Sequence, residues 1–532
     1  MHILSSHGYE HISKRLLWLC WNGFPLKCVP SKLYMENLVT LDLSHSRLKQ
    51  VWKGTKMLGK LKFLYLSHCY YLTRTPDFFG LNNLQELLLN DCIRLVEVDD
   101  SIRFLKKLVL DMKNCKKLQK LPSSIWMLKT LENLDLSGYS MLGKYSGIKL
   151  SKSLSPFLSF WNFRTKRVDS ICLSLSPVLG LSCLKELSME NCNLSCLPNE
   201  VGNLISLETL DLGRNNLRTL PDSICNLTRL KKLYLSHCDV SHLPSEIGRL
   251  ATLEALILKG NSLVNLPDSI CNLTLLKNLN LSLCDVSHLP CEIGRLISLQ
   301  KLNLGGNNLL TLPDSICNLA CLEVLSLPHC NVSHLPDRIG MLSSLKWFDL
   351  RSNSVSILPN SFSDLASLEI LYLSNCERLQ SLPKLPASLY HVDAINCTLL
   401  LERIPTEFNW PPGLCKPFQE WSMQRMFGVY LPGDEVPNWF PYQYTGSKLS
   451  LGVPPLVTRR IIGWNLCIVF RTHKKPGQRS FVTGIHLFGG DELEIEISPD
   501  DQEKTVPWLT VKKCGIQLVY EDDVDITGTN VL

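Results

Sequence analysis

The sequence predicts an α/β solenoid, a horseshoe of about sixteen 23-residue repeats, followed by an all-β antiparallel sandwich. Two observations predict it. The pattern L-x-x-L-x-L-x-x-(C/N) recurs every 23 residues, and after about residue 409 it gives way to short alternating runs punctuated by Gly, Pro and Asp. A 532-residue chain with 45% hydrophobic and 20% charged residues is folded and holds more than one structural unit.

The last position of the pattern falls at Cys69, Cys92 and Cys115, then at Cys192, Asn215, Cys238, Asn261, Cys284, Asn307, Cys330, Asn353 and Cys376. Weaker copies end at Ser46, Tyr139 and Cys397, with a first turn around residues 16–24. Alternating leucines such as Leu233 and Leu235 suit a short strand with one buried face, and strands of successive repeats stack in parallel. Leu243-Pro244 ends the strand side, so that Ile247 and Leu250 fill the interior from a helical turn. No repeat buries its apolar side alone, so stability comes from stacking neighbours. This is a leucine-rich-repeat solenoid. It begins almost at Met1 without a polar capping unit, which predicts a frayed N-terminal end.

The Cys and Asn at the ladder position stand where the chain leaves the strand, and a small inward polar group there bonds the buried backbone of the next repeat. Nine of the 22 cysteines are thereby structural, and the cysteines as a whole are expected as reduced thiols. Cys225, Cys271 and Cys317, each in SICNL, form a second column 46 residues apart. The double unit LPDSICNL plus HLPSEIGRL occurs three times with small changes, a mark of tandem duplication.

The solenoid is assigned to residues 1–410, with an inserted loop at about 140–183. That insertion is Ser-rich and carries Lys144, Lys149, Lys152, Arg164, Lys166 and Arg167 against Asp169. Residues 411–420 form a linker and 421–532 a second domain. Strands are expected there at 448–453, 462–470, 481–488, 492–497, 509–513 and 515–520, with Gly489-Gly490 as a hairpin turn.

Several function classes find no support. A net charge of +6 over this length is too dilute for a nucleic-acid partner. The start has no signal-peptide core, and IIGWNLCIVF is about half a membrane span, so the chain is expected in the cytoplasm or nucleus. Six N-x-[ST] triplets are then not glycosylated. GTKMLGKL nearly fits a phosphate-binding loop, but Leu61 replaces the hydroxyl that would hold magnesium. His242, His288 and His334 lie two repeats apart, roughly 10 Å, too far for one zinc ion. No catalytic, metal or cofactor residues are assigned, and the chain is read as a binding protein rather than an enzyme.

WLCWNGFPLKCVP and MENLVTLDLSHSRLKQVWKG at the front, with VYLPGDEVPNWFPYQYTGSKLSLGVPP, GWNLCIVF and VKKCGIQLVYEDD at the back, carry a specific likeness. In these strings the chain resembles the C-terminal part of plant TIR-type nucleotide-binding leucine-rich-repeat (TIR-NB-LRR) disease resistance proteins: the repeats plus the post-repeat jelly-roll/Ig-like C-JID domain. The resemblance implies NAD cleavage and nucleotide switching only for longer relatives whose TIR and nucleotide-binding modules are absent from this sequence. For the part present, it implies recognition of a pathogen effector or a guarded host protein, with the repeats also restraining the TIR and nucleotide-binding domains of the same chain. The alternative is a free-standing intracellular repeat scaffold that binds signalling proteins; the C-terminal strings argue against it.

The outward strand position is a fixed offset before each ladder residue. It reads Tyr65, Leu88, Asp111, Asp135, Ser188, Asp211, Tyr234, Ile257, Asn280, Asn303, Ser326, Asp349, Tyr372 and Asp393. Neighbouring offsets add His68, Arg214, His237, His329, Trp347 and Arg351. Aromatic and Arg residues dominate interface hot spots. The candidate partner-binding residues on the concave face are therefore Tyr65, Leu88, Arg214, Tyr234, Ile257, His329, Trp347, Arg351 and Tyr372, with Trp347, Arg351 and Tyr372 as the preferred cluster.

Overall fold

The computed structural model describes residues 13–400, apart from 106–107, 119–124, 126–127, 129, 139–180, 390, 395 and 398. It also describes the strand backbones at 428–430, 442–445, 448–452, 461–472, 485–488, 492–497 and 509–520. The chain divides into two compact units, residues 1–307 and 308–532.

In the first unit each repeat contributes one three-residue strand: β1 Trp18–Cys20, β2 Thr40–Asp42, β3 Phe63–Tyr65, β4 Glu86–Leu88, β5 Val109–Asp111, β6 Asn133–Asp135, β7 Glu186–Ser188, β8 Thr209–Asp211, β9 Lys232–Tyr234, β10 Ala255–Ile257, β11 Asn278–Asn280 and β12 Lys301–Asn303. Each pairs in parallel with the next, leucine opposite leucine, as Leu233 stands opposite Leu256 and Leu256 opposite Leu279. The central side chain is buried and its two neighbours are half-buried in most of these strands, the period-2 pattern of a sheet with one face on the core. Inside lies a nearly continuous column of leucines, with Leu64, Leu87, Leu233, Leu256 and Leu279 all at 0% exposure.

The expected insertion lies mostly outside the described residues. Its edges are informative, however: β6 and β7 pair directly, Asn133 opposite Glu186, although 53 residues separate them rather than 23. The extra chain therefore leaves the sheet uninterrupted.

The second unit continues the same design with β13 Val324–Ser326, β14 Trp347–Asp349, β15 Ile370–Tyr372, β16 His391–Asp393 and β17 Gly428–Tyr430, again parallel and consecutive. The parallel ladder thus reaches residue 430. Beyond it stand two three-stranded antiparallel sheets. One orders β18 Tyr442–Thr445, β23 Leu509–Tyr520 and β20 Ile461–Thr472; the other orders β19 Lys448–Gly452, β22 Glu492–Ile497 and β21 Ile485–Phe488. The strand expected as two pieces, 509–513 and 515–520, is one strand. Gly515 continues the ladder opposite both Gln443 and Cys467, so it is held from two sides.

On the side away from the strands, the described helical segments are 3-10 turns rather than α-helix, among them Asp222–Asn226, Ile247–Arg249, Asp268–Asn272 and Asp314–Asn318. A 23-residue repeat leaves three to five residues there, too few to nucleate an α-helix. Their alternating lengths explain the 46-residue double unit. Gly248 sits so close to the following repeat that a Cβ would stand 2.1 Å from the carbonyl oxygen of Ser269, and its N–H donates to Ser269 Oγ at 3.3 Å. Gly340 meets Ser361 in the same way. The Gly of one repeat and the Ser of the next form a matched pair.

Candidate functional site

The ladder residues are all buried, but they reach backward, not toward the next repeat as the sequence suggested. Asn215 accepts the backbone N–H groups of Cys192 and Leu194, both at 3.0 Å, and donates to the carbonyls of Met189 and Leu212. Asn261, Asn307 and Asn353 do the same for the repeats that precede them. The Cys residues make a weaker bond in the same direction, with Cys238 Sγ 3.0 Å from the carbonyl oxygen of Leu212 and Cys92 Sγ 3.2 Å from that of Leu66. The reason is geometric. The side chain leaves the turn beside the preceding repeat, within reach of a free carbonyl there as well as one at the end of its own strand.

Burial pushes the ladder thiols up, Cys115 to about 12 and Cys238 and Cys376 to about 11. These are protonated S–H donors, not nucleophiles. Cys225, Cys271 and Cys317 are likewise buried, inside the 3-10 turns rather than outside them. Seventeen of the described cysteines are free, whereas Cys196 is disulfide-bonded, a departure from the all-thiol expectation.

The outward strand position sorts into two kinds of residue. Asp42, Asp111, Asp135, Asp211, Asn280, Asn303 and Asp349 each use a side-chain oxygen to accept the backbone N–H two residues on, at 2.8 to 3.1 Å. This bond fixes the turn that leaves the strand, so these carboxylates and amides are first of all structural. Tyr65, Leu88, Tyr234, Ile257 and Tyr372 cannot make it. They are half-buried side chains on the open face with no turn to hold, and the candidate list falls on them. Tyr65 stands opposite Leu88 and Tyr234 opposite Ile257, so they occur as pairs on adjacent strands.

Arg214 and His329 sit differently. Both have left-handed backbone, φ 57°, at the turn residue just before the ladder position, with His68 and His237. Arg214 is ion-paired with Glu190 at 3.1 Å. They edge the face rather than lie on it.

In the second unit the preferred cluster is assembled. The Arg351 guanidinium makes two bonds to Asp349, Nε to Oδ1 at 2.9 Å and Nη2 to Oδ2 at 2.6 Å. It lies over the Tyr372 ring, 4.9 Å from its centroid. Trp347 packs on the other ring neighbour, with the Trp347 and Tyr372 centroids 5.1 Å apart, and Tyr372 meets His391 at 5.2 Å. Asp349, expected on the surface, is 3% exposed at its side chain because Arg351, at 33%, covers it. The Asp349 carboxylate holds Arg351 above its ordinary range, so the guanidinium is fixed as a cation in one place. A rigid aromatic platform with a pre-positioned planar cation loses little side-chain entropy on contact, which suits protein recognition.

At the first strand position the sequence reading singled out Trp347 and passed over its counterparts. Phe63, Val109, Val324, Ile370 and His391 share the open face with the outward column, because both ends of a three-residue strand flank one buried centre. A 23-residue offset finds the first four, whereas His391 stands 21 residues after Ile370 and is itself buried.

Among the described residues no group of His, Cys, Asp and Glu could hold a metal ion, and no helix is long and apolar enough to cross a membrane.

Comparison with known proteins agrees with this architecture. The leucine-rich repeat region family matches residues 151–256, two further leucine-rich repeat families match 298–319 and 322–377, and the C-JID domain family matches 431–525. The first match begins inside the stretch read above as an insertion. Disease resistance protein RPP4 of Arabidopsis thaliana is 32% identical over 233 residues, covering 41% of this chain and 20% of its own. TMV resistance protein N of Nicotiana glutinosa is 31% identical over 247 residues, covering 42% and 21%. The chain spans a quarter or less of the length of these curated relatives. Among solved structures, a leucine-rich-repeat protein of Leptospira interrogans superposes with a TM-score of 0.53 at 29% identity, covering 66% of this chain and 88% of that one.

Proposed function

We propose that this chain, which shares its leucine-rich repeats and C-JID domain with plant TIR-NB-LRR disease resistance proteins, is the effector-recognising and autoinhibitory part of an intracellular immune receptor. It acts by binding protein, in the cytoplasm or nucleus, and its partner is a pathogen effector or a host protein that effectors attack. In a longer chain the repeats would also restrain the TIR and nucleotide-binding domains. The observation that carries the reading is the Trp347–Tyr372–Arg351 platform: a hot-spot set of side chains on an open sheet face, in a chain whose relatives act in disease resistance.

The test keeps the buried Asp349–Arg351 pair and replaces Trp347→Ala and Tyr372→Ala together. Wild type and variant are co-expressed with secreted proteins of a plant pathogen, and captured partners are titrated against the purified chain. Loss of at least about tenfold in affinity is expected, the scale of a hot-spot pair. Undiminished affinity on folded variant overturns the assignment of this surface. Adding Arg351→Ala then separates the cation from the aromatic rings.

A further inference from the structure

The open face of β3–β5 is built differently from the rest of the first unit. Its two rows are Phe63, Glu86, Val109 and Tyr65, Leu88, Asp111, set side by side by the strand register. Phe63 and Tyr65 have ring centroids 6.4 Å apart, and Val109 is 38% exposed. Of these four apolar or aromatic side chains on one half-open sheet face none holds a turn, and Tyr65 alone makes a hydrogen bond across the face, to Glu86. At the edge, His45 and His68 stack at 4.5 Å, with His68 in turn against Tyr70.

Carboxylates surround this apolar ground: Asp42 beside Tyr65, Glu86 accepting from Tyr65 Oη at 3.2 Å, Asp91 3.6 Å from His68 Nδ1, and Asp111 and Asp135 on adjacent strands. Lys113 is the cation placed against Asp111. The field is therefore negative here, on a chain whose net charge is +6. Desolvation pushes Tyr65 up, and Glu86 and Asp42 push it further; desolvation likewise raises Asp111, with Asp135 and Asp91 adding to it.

We propose that the β3–β5 face is a second docking surface, distinct from the Trp347 platform, and that its occupant is a protein segment carrying a large apolar side chain flanked by lysine or arginine. The apolar anchor covers Phe63, Tyr65, Leu88 and Val109. The flanking cations meet Asp42, Glu86, Asp91 and Asp111, where complementary charge speeds encounter and fixes the register of the segment.

The probe is a short fluorescein-labelled peptide with a central Trp-Phe pair flanked on each side by Lys-Arg, titrated into the full chain and followed by anisotropy. Saturable binding is expected, weakening about tenfold or more when salt rises well above physiological strength, because the contacts lie at the surface. Leu88→Ser with Val109→Ser, and separately Glu86→Gln with Asp111→Asn, should each weaken it by at least about fivefold. Asn at 111 still accepts the Lys113 N–H, so the turn survives, and a circular dichroism spectrum confirms the fold. Trp347→Ala with Tyr372→Ala should leave this binding unchanged, which separates failure here from failure of the first surface. Absence of saturable binding, equal binding of a peptide with Glu-Asp flanks, or undiminished binding by both double variants overturns the proposal. Self-association in light scattering, abolished by the same substitutions, also overturns it by making a second copy the occupant.

Discussion

Asn261 accepts the backbone N–H of Cys238 at 3.2 Å, across one full repeat. The same oxygen takes the N–H of Val240 at 2.9 Å, and its NH2 group donates to the carbonyls of Leu235 and Leu258. One amide side chain thus closes the turn of the preceding repeat and its own. Replacing it by Leu leaves two buried N–H groups without acceptors, at about 1–3 kcal/mol each. Asn261→Leu should therefore destabilise the region by at least about 2 kcal/mol. Hydrogen exchange is the measurement, since a repeat array opens locally rather than all at once. The amides of Cys238 and Val240 should lose protection before those around β2 and β3. Asn261→Cys, although Cys fills the neighbouring ladder positions, should be no milder, because a thiol accepts weakly. Unchanged exchange at those two amides would contradict the arrangement.

That bond also shows where the sequence was readable and where it was not. The position of the ladder follows from the period alone, because every repeat must turn at the same place. Its direction does not, since an inward Asn has acceptors on either side until the tilt of the turn is known. The turn after the ladder residue comes in two lengths. In Cys69-Tyr70-Tyr71-Leu72 the turn closes on itself, Cys69 N–H donating to the carbonyl of Leu66 and Leu72 N–H to that of Cys69, and the next ladder residue is Cys92. In Cys238-Asp239-Val240 the turn is one residue shorter, Asp239 takes left-handed backbone, and the Val240 N–H donates to Asn261 instead. The outward column was equally legible in place but not in role. An Asp two residues before a turn looks like any surface carboxylate, and only the structure shows that Asp211 holds Gly213 and that Asp349 is covered by Arg351.

Leu283 is the residue most at odds with its backbone. Its φ is +58°, at a turn position occupied by Asn114, Asn191 and Asn375 in other repeats and by Gly260 and Gly306 in two more. A branched residue there costs about 1 kcal/mol. Leu283 is also 54% exposed, so little burial offsets the strain. Leu283→Asn should raise stability by about 0.5–1 kcal/mol in denaturant titration. Gly306→Ala should lower it, because a Cβ at φ +73° would also stand 2.4 Å from Leu283 Cδ2. The two should couple: with Asn at 283 the clash is relieved and the penalty at 306 shrinks to that of the backbone. Strict additivity in the double-mutant cycle would argue that Leu283 does not cover Gly306.

Thiol chemistry should separate sharply by position. Cys69, Cys92, Cys115, Cys238, Cys284 and Cys376 are buried with raised pKa, so they present almost no thiolate near pH 8. Cys183, Cys291 and Cys321 are exposed, as is Cys20, whose pKa is raised by desolvation and by Asp42. Iodoacetamide followed by peptide mass spectrometry should label those three first and the ladder set only on unfolding. Early labelling at Cys238 would mean that its repeat opens readily.

The last prediction concerns the carboxylates that hold the turns. Asp211 is raised above the ordinary Asp range, chiefly by desolvation and then by the charges of Glu190 and Asp135, although the Gly213 N–H partly offsets this. A raised folded-state pKa means that the fold prefers the protonated acid. The ionised group therefore weighs on stability at neutral pH, and the penalty disappears as pH falls below the unfolded value. Asn280 and Asn303 occupy the same offset and accept the same turn N–H without a charge, from Ser282 at 3.0 Å and Gly305 at 3.1 Å. Asp211→Asn should thus keep the turn and raise the unfolding midpoint at pH 7. The advantage should shrink toward zero as the pH is lowered into the carboxylate range, where wild type becomes protonated and catches up. Asp111→Asn should follow the same sign, since Asp111 is raised by the same leading cause. Midpoints measured across that pH range decide the matter: a variant less stable than wild type at pH 7, or a gain that grows on acidification, would show that the carboxylate supports the fold in its charged form.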